Sequence, residues 1–459
     1  MTEGGDGRLW TLDDAFGCIS VRRKFSTRRE FIAFTATASA VAGMAWRPRA
    51  RASAGNLRPV ADLATGEHLL RLPPGFSYTS HDWRGDPTAD GNRVPGAHDG
   101  MGAFLQPDER TVVLVRNHEI VHGPPIGDAA VYDRRGGGGT TSLSFDLAKR
   151  EWLQTRVSLA GTAKNCAGGP TPWRSWLTCE EFVADSGADG AERPHGFVFE
   201  VPATGVGDTR PLTGLGRFKH EAAAVDPKTA IVYLTEDETA CGLYRFVPIG
   251  GDTSHGSLRR PGRLQMLAID GRPNFTGRWP VGLRLPTAWV DIDDPEAHRV
   301  PVFRQGYARG GMRFKRLEGC WWDAGRVYFV STTGGRAGRG QVWELDTNDD
   351  RLLLLCESPG REVLDSPDNI VMMTNGALML CEDGDSPTRL SMLTPAGPIV
   401  VVAENNIVLH GAKGVSGDYR GGEWCGVCQV GDWVFANLQS PGMTLAITGP
   451  WDDLMAGRT

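Results

Sequence analysis

The chain lacks a long hydrophobic run. Its most apolar early stretch, Phe31 to Trp46, is about 16 residues rich in Ala, Thr and Gly, too short to span a bilayer, so no stable membrane span is expected. It also lacks excess positive charge: 49 Lys and Arg against 55 Asp and Glu give a formal charge of -6, which argues against a nucleic-acid-binding surface. No GxSxG-type motif offers a serine nucleophile. The four glycines Gly136 to Gly139 lead into Thr140-Thr141-Ser142 and a strand-like run, not into a helix with Lys-Ser or Lys-Thr, so they make a poor phosphate loop. The nine cysteines are too sparsely spaced for a small stapled fold. Cys425-Gly-Val-Cys428 has no second CxxC to complete a zinc site and reads as packing of two small side chains.

Glycine and proline are plentiful, 60 and 29 residues, as many short strands joined by turns require. The organising stretch is Phe218 to Asp237. The polar pair His220-Glu221 opens a short apolar run, Asp226-Pro227-Lys228 supplies turn chemistry, and Ile231 to Leu234 runs out to Glu236-Asp237. This predicts a β-hairpin whose opening and closing residues lie side by side at one edge. The pattern recurs. Cys166 to Glu180, Glu318 to Thr332, Asp368 to Glu382 and Glu423 to Asn437 are each about 14 apart, and a looser copy runs from His98-Asp99-Gly100 to His118-Glu119. Six similar units that cannot bury their faces alone predict an all-β, six-bladed β-propeller, a single domain over 55–459. The long spacing between Glu238 and Met312 predicts inserted loops over the channel mouth, as a lid or wall, or else a plain surface loop.

Inner strands of a propeller aim their ends into a central channel. The hairpins therefore deliver Glu119, Cys166, Glu180 or Glu181, Glu221, Glu236, Asp237, Glu318, Asp368 and Glu382 to one mouth. So many carboxylates would repel and hold their protons unless multivalent cations sit among them. Cys166 takes a place filled elsewhere by carboxylates, and a thiolate favours iron, zinc or copper where carboxylates alone favour calcium or magnesium. Arg316 and Glu318, two apart in a strand, point the same way, either to hold an oxyanion beside a metal ligand or as an ion pair.

Residues 1–54 read as a leader. Ser26-Thr27-Arg28-Arg29-Glu30-Phe31-Ile32 resembles the twin-arginine export signal, and Ala50-Arg51-Ala52-Ser53-Ala54 offers small-x-small cleavage points. The expectation is export to the periplasm or beyond, with the twin-arginine translocase as a partner.

Taken together, the STRREFI leader, RNHE, NCAGGPTPWRSWLTCEE, FKHEAAAVDP with YLTED, RLEG, SPDNI with CED, and NLQSPG before GPW resemble the PhoX-type alkaline phosphatases. That resemblance implies a six-bladed propeller whose channel mouth holds two irons and three calciums. It implies Cys166, Glu181, Glu221 and Glu318 as iron ligands, Arg316 on phosphate, and Glu119, Glu236, Asp237, Asp368 and Glu382 as candidate calcium ligands, with Glu180 beside them in the metal set. The expected reaction is hydrolysis of small phosphate monoesters by a metal-bound oxide or hydroxide, with Arg316, Cys166 and Glu318 at its centre, in a monomer. Leu317 stands where a Pro is common in that family. The alternatives are a calcium-dependent propeller lactonase or esterase, which would not need Cys166, and a noncatalytic metal-binding propeller.

Overall fold

The structure is a computed structural model that describes residues 57–458, apart from 129 and 276–277. The leader expected over 1–54 lies outside the described residues, as do its arginine pair and cleavage points. Among the described residues no helix is long and apolar enough to cross a membrane.

Six hairpins line the centre. Their first strands are His98–Leu105, Asn165–Pro170, His220–Val225, Leu317–Asp323, Pro367–Met372 and Trp424–Val430, and each pairs antiparallel with the strand that follows it. Each first strand touches the first strands on both sides, and the sixth returns to the first, so the inner strands form a closed ring. Further strands extend each hairpin outward into a blade. The sixth blade is completed by the early strand Ser77–His81, which pairs with Met443–Thr448, so the two ends of the described chain close the circle. This is the predicted six-bladed propeller.

Small residues let the ring close. A Cβ on Gly100 would lie 2.5 Å from Ala167 Cα, and one on Gly319 would lie 2.6 Å from the Asp368 carbonyl oxygen. Only glycine permits the backbones to approach so closely at these two points. Below them the axis is nearly filled, a void of about 20 Å³ between Ala167, Ala222, Cys320, Trp321 and their neighbours. The site is therefore a cup at one mouth and not a through-channel.

The long insert between blades three and four is mostly peripheral. Its strand Arg284–Asp291 pairs with Gly262–Ile269 on one side and with Arg351–Glu357, the outer strand of blade four, on the other. Two blades are thereby welded into one nine-stranded sheet. Its stretches around Trp279 and Met312 to Lys315 reach the neighbourhood of the mouth, and Glu238 and Thr239 at its start line the cup.

Candidate metal centre

Every inner hairpin closes with the same backbone hydrogen bond. The N–H groups of Glu119, Glu181, Asp237, Thr332, Asp383 and Gln439 donate to the carbonyls of Ala97, Lys164, Lys219, Arg316, Ser366 and Glu423 respectively, at 2.8–3.2 Å. Four of the accepting residues, Ala97, Lys164, Arg316 and Ser366, have φ between 46° and 52°. Such left-handed turns are costly without glycine, and their recurrence here marks a repeated device that aims the following side chains. Two residues beyond each acceptor stand Asp99, Cys166, Glu221, Glu318, Asp368 and Cys425, one per blade. These six form the inner ring.

Aligned by this bond, Glu423 occupies the place of Lys164, Lys219 and Arg316, not that of Glu221 or Glu318. The sixth member of the ring is Cys425, which sequence spacing alone assigned to packing. Ligand atoms of Cys166, Glu181 and Glu221 lie within 4.8 Å of one another, as do those of Asp99, Glu119 and Cys166, and those of Asp99, Glu423 and Cys425. Asp99 joins two of the three groups. Neither it nor Cys425 stood out from the sequence, because a lone Asp before Gly and a lone CxxC have commoner explanations.

The cup has a volume of about 350 Å³ and gathers eight carboxylates, three cations and Cys166 at its wall. Glu119, Glu181, Asp237, Glu318 and Asp368 are among the carboxylates, with Asp383 and Glu423 beside them. Glu221 lies beneath, fully buried, and neither of its carboxylate oxygens has a hydrogen-bond partner; Asp99 Oδ1 is likewise buried and unpartnered. Two or three such groups left bare would each cost several kcal/mol, roughly, if charged. Burial, reinforced by Glu318, Asp368, Glu181 and Asp99, pushes the Glu221 carboxyl well above the usual range. Burial does the same to Asp99, with Glu119 and Asp368 adding, and to the Cys166 thiol, with Asp99 and Glu221 adding. Burial raises Glu119 to about 7 against the pull of Lys164, and Asp237 to about 6 against that of Arg316. A site that resists ionisation with protein groups alone is one that multivalent cations would relieve, and oxygen donors with one or two sulfurs suit both a hard and a softer ion.

The surrounding polar contacts hold the ring in place. Asn117 Nδ2 donates to the carbonyls of Cys166 and Ala167 at 2.7 and 2.8 Å, while its Oδ1 accepts from Trp176 Nε1 and Thr178 Oγ1. Asn437 Nδ2 donates to the Asp99 carbonyl at 2.6 Å. Lys164 Nζ bridges Glu181 at 2.5 Å and Glu119 at 3.2 Å. Arg316 is clasped by Asp237 at 2.7 Å and Glu318 at 2.9 Å, and its side chain is 41% exposed, so its guanidinium sits at the rim facing the cup.

Three sequence-predicted ligands lie elsewhere. Glu180 accepts from Ala163 N, His195 Nδ1, Gly196 N and Phe197 N, fully buried inside the second blade. Glu236 accepts from Tyr244 Oη at 2.6 Å and Gly242 N at 3.1 Å. Glu382 accepts from Arg389 Nε at 2.5 Å and from Ser391 Oγ at 3.2 Å. All three pair across the hairpin with the residue just before the ring member, and side chains alternate along a strand. They therefore turn into the blade, and the next residues, Glu181, Asp237 and Asp383, turn into the cup. A one-residue shift exchanges the faces. Glu180→Ala should lower stability by about 3–5 kcal/mol, since four donors lose their acceptor, while leaving metal content unchanged; urea denaturation beside metal analysis checks this. All eight cysteines among the described residues are free thiols.

Fold and cup together define a β-propeller with a candidate metal centre at its mouth. Residues 55–155 and 129–442 match the family described as alkaline phosphatase PhoX, and the chain belongs to that family. It is thus a phosphoric monoester hydrolase of the alkaline phosphatase type. Among solved structures, PhoX of Pseudomonas fluorescens in complex with vanadate, a transition-state analogue, superposes with a TM-score of 0.62 at 17% identity, over 86% of this chain and 98% of that one. A gluconolactonase from Xanthomonas campestris matches with a TM-score of 0.44 at 11% identity, over 86% and 99% of the two chains. A virginiamycin B lyase from Staphylococcus aureus matches with a TM-score of 0.39 at 13% identity, over 81% and 99%. No curated protein matches.

Proposed function

We propose that this phosphatase works with a mixed iron and calcium cluster seated in the cup. Cys166, Glu181, Glu221 and Glu318 would hold iron, and Glu119, Asp237 and Asp368, with Asp99, Asp383, Glu423 and Cys425, are the candidates for calcium and the remaining positions. The observation that carries this reading is the bare, fully buried carboxylate of Glu221 between Cys166 and Glu318. When bound, such a cluster supplies Lewis acidity that neutralises phosphoryl oxygens. The chain's own part is orientation. Asp237 and Glu318 fix the Arg316 guanidinium at the rim, and its remaining donors are available to a phosphoryl group in the fork geometry that suits two oxygens. Lys164 holds Glu119 and Glu181 together so that both present oxygen to the same space.

Residues 1–54 carry the twin-arginine export signal in this reading. That route carries folded proteins, so the metals would be loaded before translocation. The test is turnover of p-nitrophenyl phosphate at alkaline pH. Activity should fall below about a tenth when calcium is chelated, and return on adding calcium alone. Turnover that survives chelation undiminished would refute the cluster.

A further inference from the structure

A second cavity, about 540 Å³, lies beside the cup. The two lie on either side of one segment, and no residue lines both. Lys315 lines the second and Arg316 the first, and the segment is pinned by Ser331 Oγ donating to the Lys315 carbonyl, Thr332 N to the Arg316 carbonyl and Arg316 N to the Glu238 carbonyl. One side is built by Arg278 and Trp279 from the middle of the insert with Met312 to Lys315 at its close, and the other by blade four, from Ser331 to Arg336 with Trp343.

The charge of the two cavities is opposite. In the cup, the three cations are all committed: Lys164 to Glu119 and Glu181, Lys219 to Glu238, and Arg316 to Asp237 and Glu318. In the second cavity, Arg278, Arg313, Lys315 and Arg336 are exposed, and none has an acidic partner among the described residues. The single carboxylate in its lining, Glu357, is already engaged. Its Oε1 accepts from Arg336 N at 3.1 Å and its Oε2 from Gln341 Nε2 at 2.8 Å. The floor is apolar, with Trp279 and Trp343 edge to face at 5.3 Å and Phe314 packed on Trp343 at 5.6 Å. Four free cations over an aromatic floor, one residue from the phosphate-orienting arginine, make a receptor for an anionic group on a carbon frame.

We propose that this cavity is the leaving-group subsite and that it favours phosphate monoesters whose alcohol carries a second phosphate. The inference rests on the phosphatase reading of the cup. A monoester with one phosphate places that group at Arg316 and leaves the second cavity to its uncharged part. A bisphosphate fills both. Its scissile P–O bond is cleaved by water to inorganic phosphate and an alcohol that still carries the other phosphate.

The experiment compares a sugar bisphosphate with the matching sugar monophosphate in the wild type and in an Arg313→Gln, Lys315→Gln, Arg336→Gln variant. The wild type should show a KM about tenfold lower for the bisphosphate, and the variant should lose that advantage, the ratio of the two KM values falling to about one. Independently of any variant, raising sodium chloride from about 0.05 to about 0.5 M should shrink the preference in the wild type. Equal KM values in the wild type, or an equal loss on both substrates in the variant, would overturn the subsite. No turnover of either substrate by the metal-loaded wild type would instead overturn the reading of the cup.

Discussion

Replacing Arg316 by Ala should reduce kcat/KM for p-nitrophenyl phosphate by about 10²–10³, the usual cost of removing a fixed donor from a transition state that gathers negative charge. The size follows from placement. The guanidinium is held by two carboxylates and by a left-handed backbone turn at φ 49°, so it is already aimed before substrate arrives. Burial works against its charge, but Glu318 and Asp237 raise its pKa, so it stays protonated throughout the alkaline range. Arg316→Lys keeps the charge and loses the fork, and should recover only a small part of the rate. Inhibition by inorganic phosphate should weaken in parallel. An Arg316→Ala enzyme with unchanged kcat/KM and unchanged phosphate inhibition would make the arginine a structural ion pair.

The second large effect belongs to Cys166. Its thiol is buried against Asp99 at 3.5 Å, and it belongs to two of the three clusters of ligand atoms. Cys166→Ala should lose bound iron, and activity should fall by more than the roughly 10–100-fold that outer-shell changes cost at metal centres. Cys166→Ser separates softness from mere coordination. A hydroxyl oxygen suits calcium better than iron, so this variant should keep calcium and still lose iron. Both substitutions are small and lie beside an already polar cup, so thermal melting of the metal-free proteins should differ little from the wild type.

The sequence carries the architecture well, because each hairpin announces itself by an apolar run between polar ends, and six such units close only as a ring. It also carries Cys166, Glu221, Glu318, Asp368, Glu119, Glu181, Asp237 and Arg316 as candidates, and the structure gathers all eight around one cup. What spacing could not resolve is which of two adjacent acids faces inward. Glu180-Glu181, Glu236-Asp237 and Glu382-Asp383 are each a pair with one member on either face, and a strand's period of two makes an error of one residue an error of side. In blade five the reading took Glu382, which binds Arg389, and passed over Asp383. In blade six the acid at Glu423 suggested the ring position by its spacing, although the closing backbone bond shows that Cys425 holds it. The insert was harder still. Its strand Arg284–Asp291 joins two blades by pairing with residues more than sixty positions later, a contact that no local pattern announces.

The central claim is that one polypeptide gathers a softer metal and a hard one in a single cup. Elemental analysis of the purified wild-type protein tests it most directly, with Cys166→Ala purified alongside. The wild type should contain both iron and calcium, and the variant should retain calcium with iron reduced to trace. Wild-type protein that is fully active with no iron, or a Cys166→Ala protein with iron undiminished, would contradict the account.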